Sequence, residues 1–309
     1  MGKIAFIFPG QGAQSVGMAK DVFDGIPASR QVIESADKAL GFSLSSIIFD
    51  GPDQELKQTY NTQPALLAAS VAYLEAFREK GITPDYVAGH SLGEYSALVA
   101  SGVLTLEEAV GIVRARGEYM EQAVPGGQGA MAAVLGADRE ALNNLCLSVS
   151  EEGNPVELAN INCPGQIVIS GSAEGVAAVS GRVKEIGGKR AIPLEVSGPF
   201  HSSLMREAAD RLATKLANAT LSAPAVPVVA NVTALPVSDP EEIRSLLVEQ
   251  VYSPVLWHDS VEWMISQGVD TFVEIGPGSV LTGLIKKIDK SVKLININSI
   301  TSINELETL

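Results

Sequence analysis

Ser91 stands in Gly89-His90-Ser91-Leu92-Gly93, with a glycine two residues away on each side. The extended stretch Asp85-Tyr86-Val87-Ala88 precedes it, and the helix-forming run Glu94-Tyr95-Ser96-Ala97-Leu98-Val99-Ala100 follows. A serine at such a strand-to-helix corner has the pattern of a nucleophile elbow. The turn is strained, and residues without Cβ let neighbouring backbone pass close to it. The corner lifts the hydroxyl into a cleft and aims the first N–H groups of the helix at the same point. An oxyanion formed there meets those donors and the positive end of the helix dipole. The chemistry open to this serine is nucleophilic attack on an acyl group.

Such a serine needs a base, and the chain offers three histidines: His90, His201 and His258. His90 is adjacent to Ser91, so its side chain should point away and pack. His258 follows Trp257 at an expected helix start and reads as a capping or surface residue. Elimination leaves His201, in the loop-like segment Ser197-Gly198-Pro199-Phe200-His201-Ser202; loops at the edge of a scaffold commonly present catalytic groups. An oxyanion hole needs two donors. The N–H of Leu92, next after the serine, is one by elbow geometry, and the turn Gly10-Gln11-Gly12 after the first strand fits the second.

These groups require a mixed α/β scaffold to position them. Lys3–Phe8 reads as a buried strand running into the glycine-rich turn Pro9–Gln14. Leu66, Leu67, Val71, Leu74 and Phe77 mark a long helix over 62–80. Thr105 with Glu108 three residues on predicts a capping box at the head of a helix reaching Gln122. Pro125-Gly126-Gly127-Gln128-Gly129 punctuates the chain. Beyond it come a strand at Met131–Leu135, a helix near 138–149, strands at Val156–Asn162 and Gln166–Ser170, a helix near 173–187 and a strand at Ala191–Val196. That β-α-β-β-α-β order is the ferredoxin-like arrangement. The expected organisation is therefore a large α/β domain, residues 1–124 and 198–309, with a ferredoxin-like subdomain, residues 125–197, inserted in it. The large domain should close with strand Thr271–Glu274, the turn Gly276-Pro277-Gly278 and helix 279–287.

Composition excludes several classes. A net charge of −14 over 309 residues argues against a general nucleic-acid binder. No apolar run approaches the ~20 residues that cross a bilayer, and the opening strand is too short for a signal segment, so a cytoplasmic protein is expected. Cys146 and Cys163 lie far apart without CxxC spacing, and the histidines form no HExxH, so neither a disulfide nor a metal site is expected. The dinucleotide reading of Gly10-x-Gly12 fails, because Ser15 stands where a third glycine is required.

Seven segments together resemble the malonyl-CoA:acyl-carrier-protein transacylases: Phe8-Pro9-Gly10-Gln11-Gly12, Gly89–Glu94, Arg114-Ala115-Arg116-Gly117, Asn160-Ile161-Asn162, Gly198–Ser202, Gln250–Pro254 and Glu274–Gly278. They run the length of the chain in order. The chain is more similar to the free-standing bacterial enzyme of type II fatty acid synthesis than to an excised polyketide-synthase domain. The resemblance implies an α/β-hydrolase-like large domain, a Ser91 nucleophile and a His201 base. Gln11 and Leu92 would supply the oxyanion-hole N–H groups, and the backbone carbonyl of Gln250 would orient His201 in place of a third acid. Arg116 would bind the malonyl carboxylate, Asn160 and Asn162 would lie near the cleft, and Phe200 corresponds to the version of its segment associated with malonyl rather than methyl-branched groups. Apart from the family, Arg116 reads more readily as a surface ion pair with a nearby glutamate such as Glu118 or Glu121, while Arg114 should face elsewhere.

The implied reaction carries a malonyl group from malonyl-CoA to the phosphopantetheine thiol of acyl carrier protein, with coenzyme A thioester as substrate, no tightly bound cofactor and a monomeric enzyme. Lys184, Lys189, Arg190, Lys286, Lys287 and Lys290 are the candidates for docking an acidic carrier protein. A serine esterase or thioesterase using the same Ser–His pair, and a non-catalytic carrier-protein-binding module, are the alternatives.

Overall fold

The computed structural model describes residues 2–306. Among the described residues, ten strands form two sheets: β1 (Lys3–Phe8), β2 (Tyr86–Gly89), β3 (Gly129–Leu135), β4 (Val156–Cys163), β5 (Gln166–Ser172), β6 (Arg190–Pro193), β7 (Val228–Val229), β8 (Pro236–Val237), β9 (Val269–Ile275) and β10 (Lys293–Ile297). The larger sheet has the order β10-β9-β1-β2-β7-β8 and is parallel except for β8, which runs against β7. The smaller has the order β4-β5-β3-β6 and is antiparallel throughout. Read as the first to fourth strands of a β-α-β-β-α-β unit, its order is 2-3-1-4, the ferredoxin-like sheet expected from the sequence.

β1 shows why the large sheet is buried on both faces. Phe6 and Phe8 point into one core with Leu66 and Phe77 of helix Thr59–Arg78, while Ala5 and Ile7 point into another with Trp257 and Phe272. Side chains alternate along a strand, so an uninterrupted apolar strand needs helices on both sides. Each such aromatic or branched side chain contributes about 1.5–3 kcal/mol on burial. The small sheet has its own core of Val134, Leu142, Val149, Ile161, Ile169 and Val179.

Strand register then sets the site. β1 and β2 are parallel neighbours with Phe8 opposite Gly89. Their carboxyl ends therefore discharge side by side, and the Pro9–Gly12 turn lies next to the Ser91 corner. β9 adjoins β1 on its other side, and its buried Glu274 accepts N–H bonds from Leu281 (3.0 Å) and Thr282 (2.8 Å). The Glu274–Gly278 motif thus caps helix Val280–Ile288.

Several boundaries differ from the sequence reading. β6 stops at Pro193 rather than Val196, with one further bond to β3 from the Leu194 N–H to the Met131 carbonyl at 3.0 Å. The helix expected near 173–187 ends at Arg182 and tightens into a 3₁₀ turn, Val183–Ile186. Thr105 caps helix Leu106–Gln122 by accepting the Glu108 N–H at 3.2 Å, but the reciprocal half of the box is missing. The Glu108 carboxylate instead takes the Thr105 hydroxyl (3.2 Å) and the Thr220 N–H (3.1 Å), a long-range partner that local spacing does not reveal.

Candidate active site

Ser91 sits at φ 51°, ψ −110°, immediately before helix Leu92–Ala100. The flanking glycines make that turn possible by close approach. A Cβ on Gly89 would lie 1.9 Å from the Gly93 carbonyl, and one on Gly93 would lie 2.1 Å from the Phe8 oxygen. Asn231 holds the corner from outside: its Oδ1 accepts the Ser91 N–H at 2.7 Å, and its Nδ2 donates to the Gly89 carbonyl at 2.7 Å.

His201 reaches Ser91 across the cleft, with Nε2 2.8 Å from the serine Oγ. Its Nδ1 lies 2.7 Å from the Gln250 carbonyl oxygen. A carbonyl only accepts, so Nδ1 carries the proton and Nε2 is left to accept the serine hydroxyl. The loop behind the ring is tied down by the His201 N–H on the Val251 carbonyl (3.2 Å) and the Ser202 hydroxyl on the Pro199 carbonyl (2.7 Å). The Ser203 N–H adds a bond to the Glu157 carboxylate of β4, 3.1 Å from Oε2. His201 itself adopts φ 58°, a conformation that surrounding bonds must enforce. Burial, with the nearby Arg116 charge second, pushes its pKa down to about 3.

Arg116 lies 1% exposed on helix Leu106–Gln122. Its Nη1 donates to Gln63 Oε1 at 2.8 Å; Nη2 donates to Gln250 Oε1 at 2.9 Å and to Ser91 Oγ at 3.2 Å. The guanidinium also stands over the Tyr95 ring, 5.6 Å from its centroid. The surface ion pair belongs to Arg114 instead, whose Nε meets Glu118 at 2.8 Å. Two residues apart on a helix, the two arginines face different directions.

Of the other catalytic and substrate-binding residues expected from the sequence, all but Asn162 and Gln250 line the same cleft, of about 110 Å³. Gln11, Leu92, Asn160 and Phe200 line it together with Met120 and Met131. Among the described residues, neither the Gln11 nor the Leu92 backbone N–H has a protein acceptor. Asn162 Oδ1 lies 2.8 Å from His90 Nε2, so the His90 ring turns from Ser91 toward β4 and packs 5.9 Å from Trp257. His90 opens to the cleft on one side, yet its enclosure lowers its pKa. His258 lies in the first turn of helix Trp257–Ser266 and caps nothing; it meets Glu262 at 3.1 Å on the surface.

Sequence reasoning missed four contributors. Gln63, Asn231 and the side chains of Glu94 and Gln250 are buried within hydrogen-bond reach of Arg116, Ser91 or one another. Neutral amides carry no spacing signature, and these contacts join residues from 19 positions apart, for Gln250 and Asn231, to 159. Glu94 carried a weak signal, as an acidic residue at the start of an otherwise apolar buried helix.

Cys146 and Cys163 are buried free thiols, and burial pushes Cys146 up to about 12. Among the described residues no group of three His, Cys, Asp or Glu could hold a metal ion. Nor is any helix there long and apolar enough to cross a membrane.

The acyl transferase domain family matches residues 5–307. The chain is 55% identical over 298 residues to the malonyl CoA-acyl carrier protein transacylase of Bacillus subtilis (strain 168), covering 96% of this chain and 94% of that one. It superposes with TM-score 0.96 and 44% identity on the acyl carrier protein S-malonyltransferase of Vibrio cholerae O1 biovar eltor, covering 99% of this chain and 100% of that chain. A malonyl-transacylase solved in complex with its type II polyketide acyl-carrier protein gives a TM-score of 0.95 at 44% identity, with 98% of each chain covered. With its parallel sheet, its separate antiparallel sheet and this degree of identity, the chain belongs to the acyl transferase domain family, among the malonyl CoA-acyl carrier protein transacylases.

Proposed function

We propose that this acyltransferase moves a malonyl group from malonyl-CoA to the phosphopantetheine thiol of acyl carrier protein through an ester on Ser91. One observation carries the reading. A base and a cation converge on a single serine oxygen, with His201 Nε2 at 2.8 Å and Arg116 Nη2 at 3.2 Å. In a malonyl group the carboxylate carbon lies about 2.5 Å from the thioester carbonyl carbon. A carbonyl attacked by Ser91 therefore brings its carboxylate to Arg116.

In the first half-reaction His201 Nε2 takes the Ser91 proton as Oγ attacks the thioester carbonyl. The Gln11 and Leu92 N–H groups receive the oxyanion, at the positive end of helix Leu92–Ala100. Collapse expels coenzyme A, whose sulfur takes the proton from His201. In the second half the carrier-protein thiol gives its proton to His201 and attacks the ester, and His201 returns that proton to Ser91 Oγ as it leaves. The Gln250 carbonyl stabilises the Nδ1–H through both steps, the role an acid plays in other triads.

Arg116 provides selectivity. Its charge-assisted bonds to a carboxylate are worth about 1.5–3 kcal/mol each, and an acetyl group leaves them unused. Phe200, with Met120 and Met131, closes the wall around the acyl group, so a methyl branch meets packed side chains. Asn160 faces the cleft from β4, and Asn162 fixes His90 beside it. The division into residues 1–124 with 198–309 and residues 125–197 belongs to the same proposal: His201 follows directly on the small unit. The carrier-protein complex of a 44% identical malonyl-transacylase supports the acceptor assigned here. The enzyme is assigned to the cytoplasm, as a monomer without a tightly bound cofactor.

Initial-velocity kinetics test the proposal. With malonyl-CoA varied at several carrier-protein concentrations, double-reciprocal plots should be parallel, and Ser91→Ala should abolish transfer. Intersecting lines would indicate a ternary complex and overturn the serine ester. An esterase would release coenzyme A as fast without carrier protein as with it.

A further inference from the structure

Glu94 stands in the first turn of helix Leu92–Ala100, three residues past the serine, and is only 2% exposed. A carboxylate in such a place is costly unless its oxygens are engaged. Glu94 Oε2 accepts from Gln250 Nε2 at 2.7 Å and from the Asn231 N–H at 3.1 Å. The Gln250 amide is thereby oriented by chemistry. Its nitrogen is surrounded by acceptors, namely Glu94 Oε2, the Ser91 carbonyl at 3.1 Å and Asn231 Oδ1 at 3.4 Å. Its oxygen is turned to the one donor on the other side, Arg116 Nη2 at 2.9 Å. Reversed, the amide would set an NH₂ against the guanidinium and an oxygen against the carboxylate.

We propose that Glu94 is a positioning residue for carboxylate recognition, acting through the Gln250 side chain to hold the Arg116 guanidinium aimed at the acyl group on Ser91. The inference rests on the reading of Arg116 as the malonyl grip. Gln63 Oε1 fixes the other arm of the guanidinium at 2.8 Å, so two amide oxygens pin the group while Nη2 still reaches Ser91 Oγ. Burial raises the Glu94 pKa to about 7, and the hydrogen bonds from Gln250 and Asn231, then the Arg116 charge, work against it, which keeps the ionised acceptor accessible near neutrality.

Glu94→Gln keeps the volume and loses the obligate acceptor, because a second amide lets Gln250 flip. The test is single-turnover acylation of Ser91 by two donors, malonyl-CoA and p-nitrophenyl acetate, which has no carboxylate. For E94Q we expect malonyl acylation to fall roughly 10- to 100-fold, the worth of a charge-assisted hydrogen bond. The nitrophenolate burst should change by less than about threefold, since Gln250's backbone oxygen still orients His201. In an Arg116→Ala background, E94Q should add nothing, because the group it positions is gone. Equal losses with both donors, or an additive loss on Arg116→Ala, would overturn the proposal. Should E94Q not fold, Glu94→Asp keeps the charge but withdraws it by a methylene from Gln250 Nε2 and must show the same malonyl-selective loss; an equal loss with both donors would overturn it too. If Arg116→Ala alone keeps the malonyl preference, the failure lies in the assignment of Arg116 itself.

Discussion

Acidifying the medium from about pH 8 to about pH 5.5 should leave the rate of Ser91 acylation by p-nitrophenyl acetate almost unchanged, although the base is a histidine. With its pKa near the usual ~6.5, a histidine would be about 97% neutral at pH 8 and about 9% at pH 5.5, a tenfold loss of base. His201 is held at about 3, so more than about 99% stays neutral across that range. Burial acts first and the Arg116 cation second, with His90 adding to them, while the hydrogen bonds to the Gln250 and Ser253 backbone act the other way. The assay is the nitrophenolate burst with p-nitrophenyl acetate over that pH range; this donor carries no carboxylate and so makes no demand on the Glu94–Gln250–Arg116 relay, whose carboxylate, raised to about 7, protonates within that range. A tenfold fall with an apparent pKa near 6.5 would refute the reasoning. The same shift affects stability with a definite sign. His201 protonates near 6.5 when unfolded but only near 3 when folded, so its contribution is present above 6.5 and is lost as pH falls toward 3. At pH 5.5 the loss is about 1.4 kcal/mol, and His201→Gln should remove it from the pH dependence of urea unfolding.

Arg116→Ala should lower kcat/KM for malonyl-CoA by about 10- to 100-fold and leave the burst with p-nitrophenyl acetate within about threefold; matched losses would exclude a carboxylate grip. Gly93→Ala sets a Cβ 2.1 Å from the Phe8 oxygen, a backbone atom that moves only with β1. It should cost about 3 kcal/mol in urea unfolding, and an unchanged midpoint would mean that the elbow and β1 are not packed as described.

The parts of the site legible in the sequence were those whose chemistry is local. The glycine spacing around Ser91 encodes a strand-to-helix corner, and with three histidines in the chain elimination leads to His201. The ferredoxin-like order was legible because each of its elements carries its own periodicity and turn residues. Other parts lie in tertiary contact alone. From spacing, Arg114 and Arg116 are equivalent; only the packing of helix Leu106–Gln122 decides that Arg114 meets Glu118 while Arg116 turns inward. Strands β7 and β8, two residues each, are too short for any periodic signal. The amides of Gln63, Asn231 and Gln250 act through partners far away in sequence, and a glutamine by itself says nothing of where its oxygen points. Glu94 was read as part of a motif, and its carboxylate acquires meaning only once Gln250 and Asn231 are seen closing on it.

The central claim is a malonyl ester on Ser91, and intact-protein mass after brief incubation with malonyl-CoA alone tests it most directly, with coenzyme A release followed in parallel. The account predicts a gain of one malonyl group on the wild type and none on Ser91→Ala. A malonyl-sized gain on Ser91→Ala, or continuous coenzyme A release from a wild type that never carries an adduct, would contradict it.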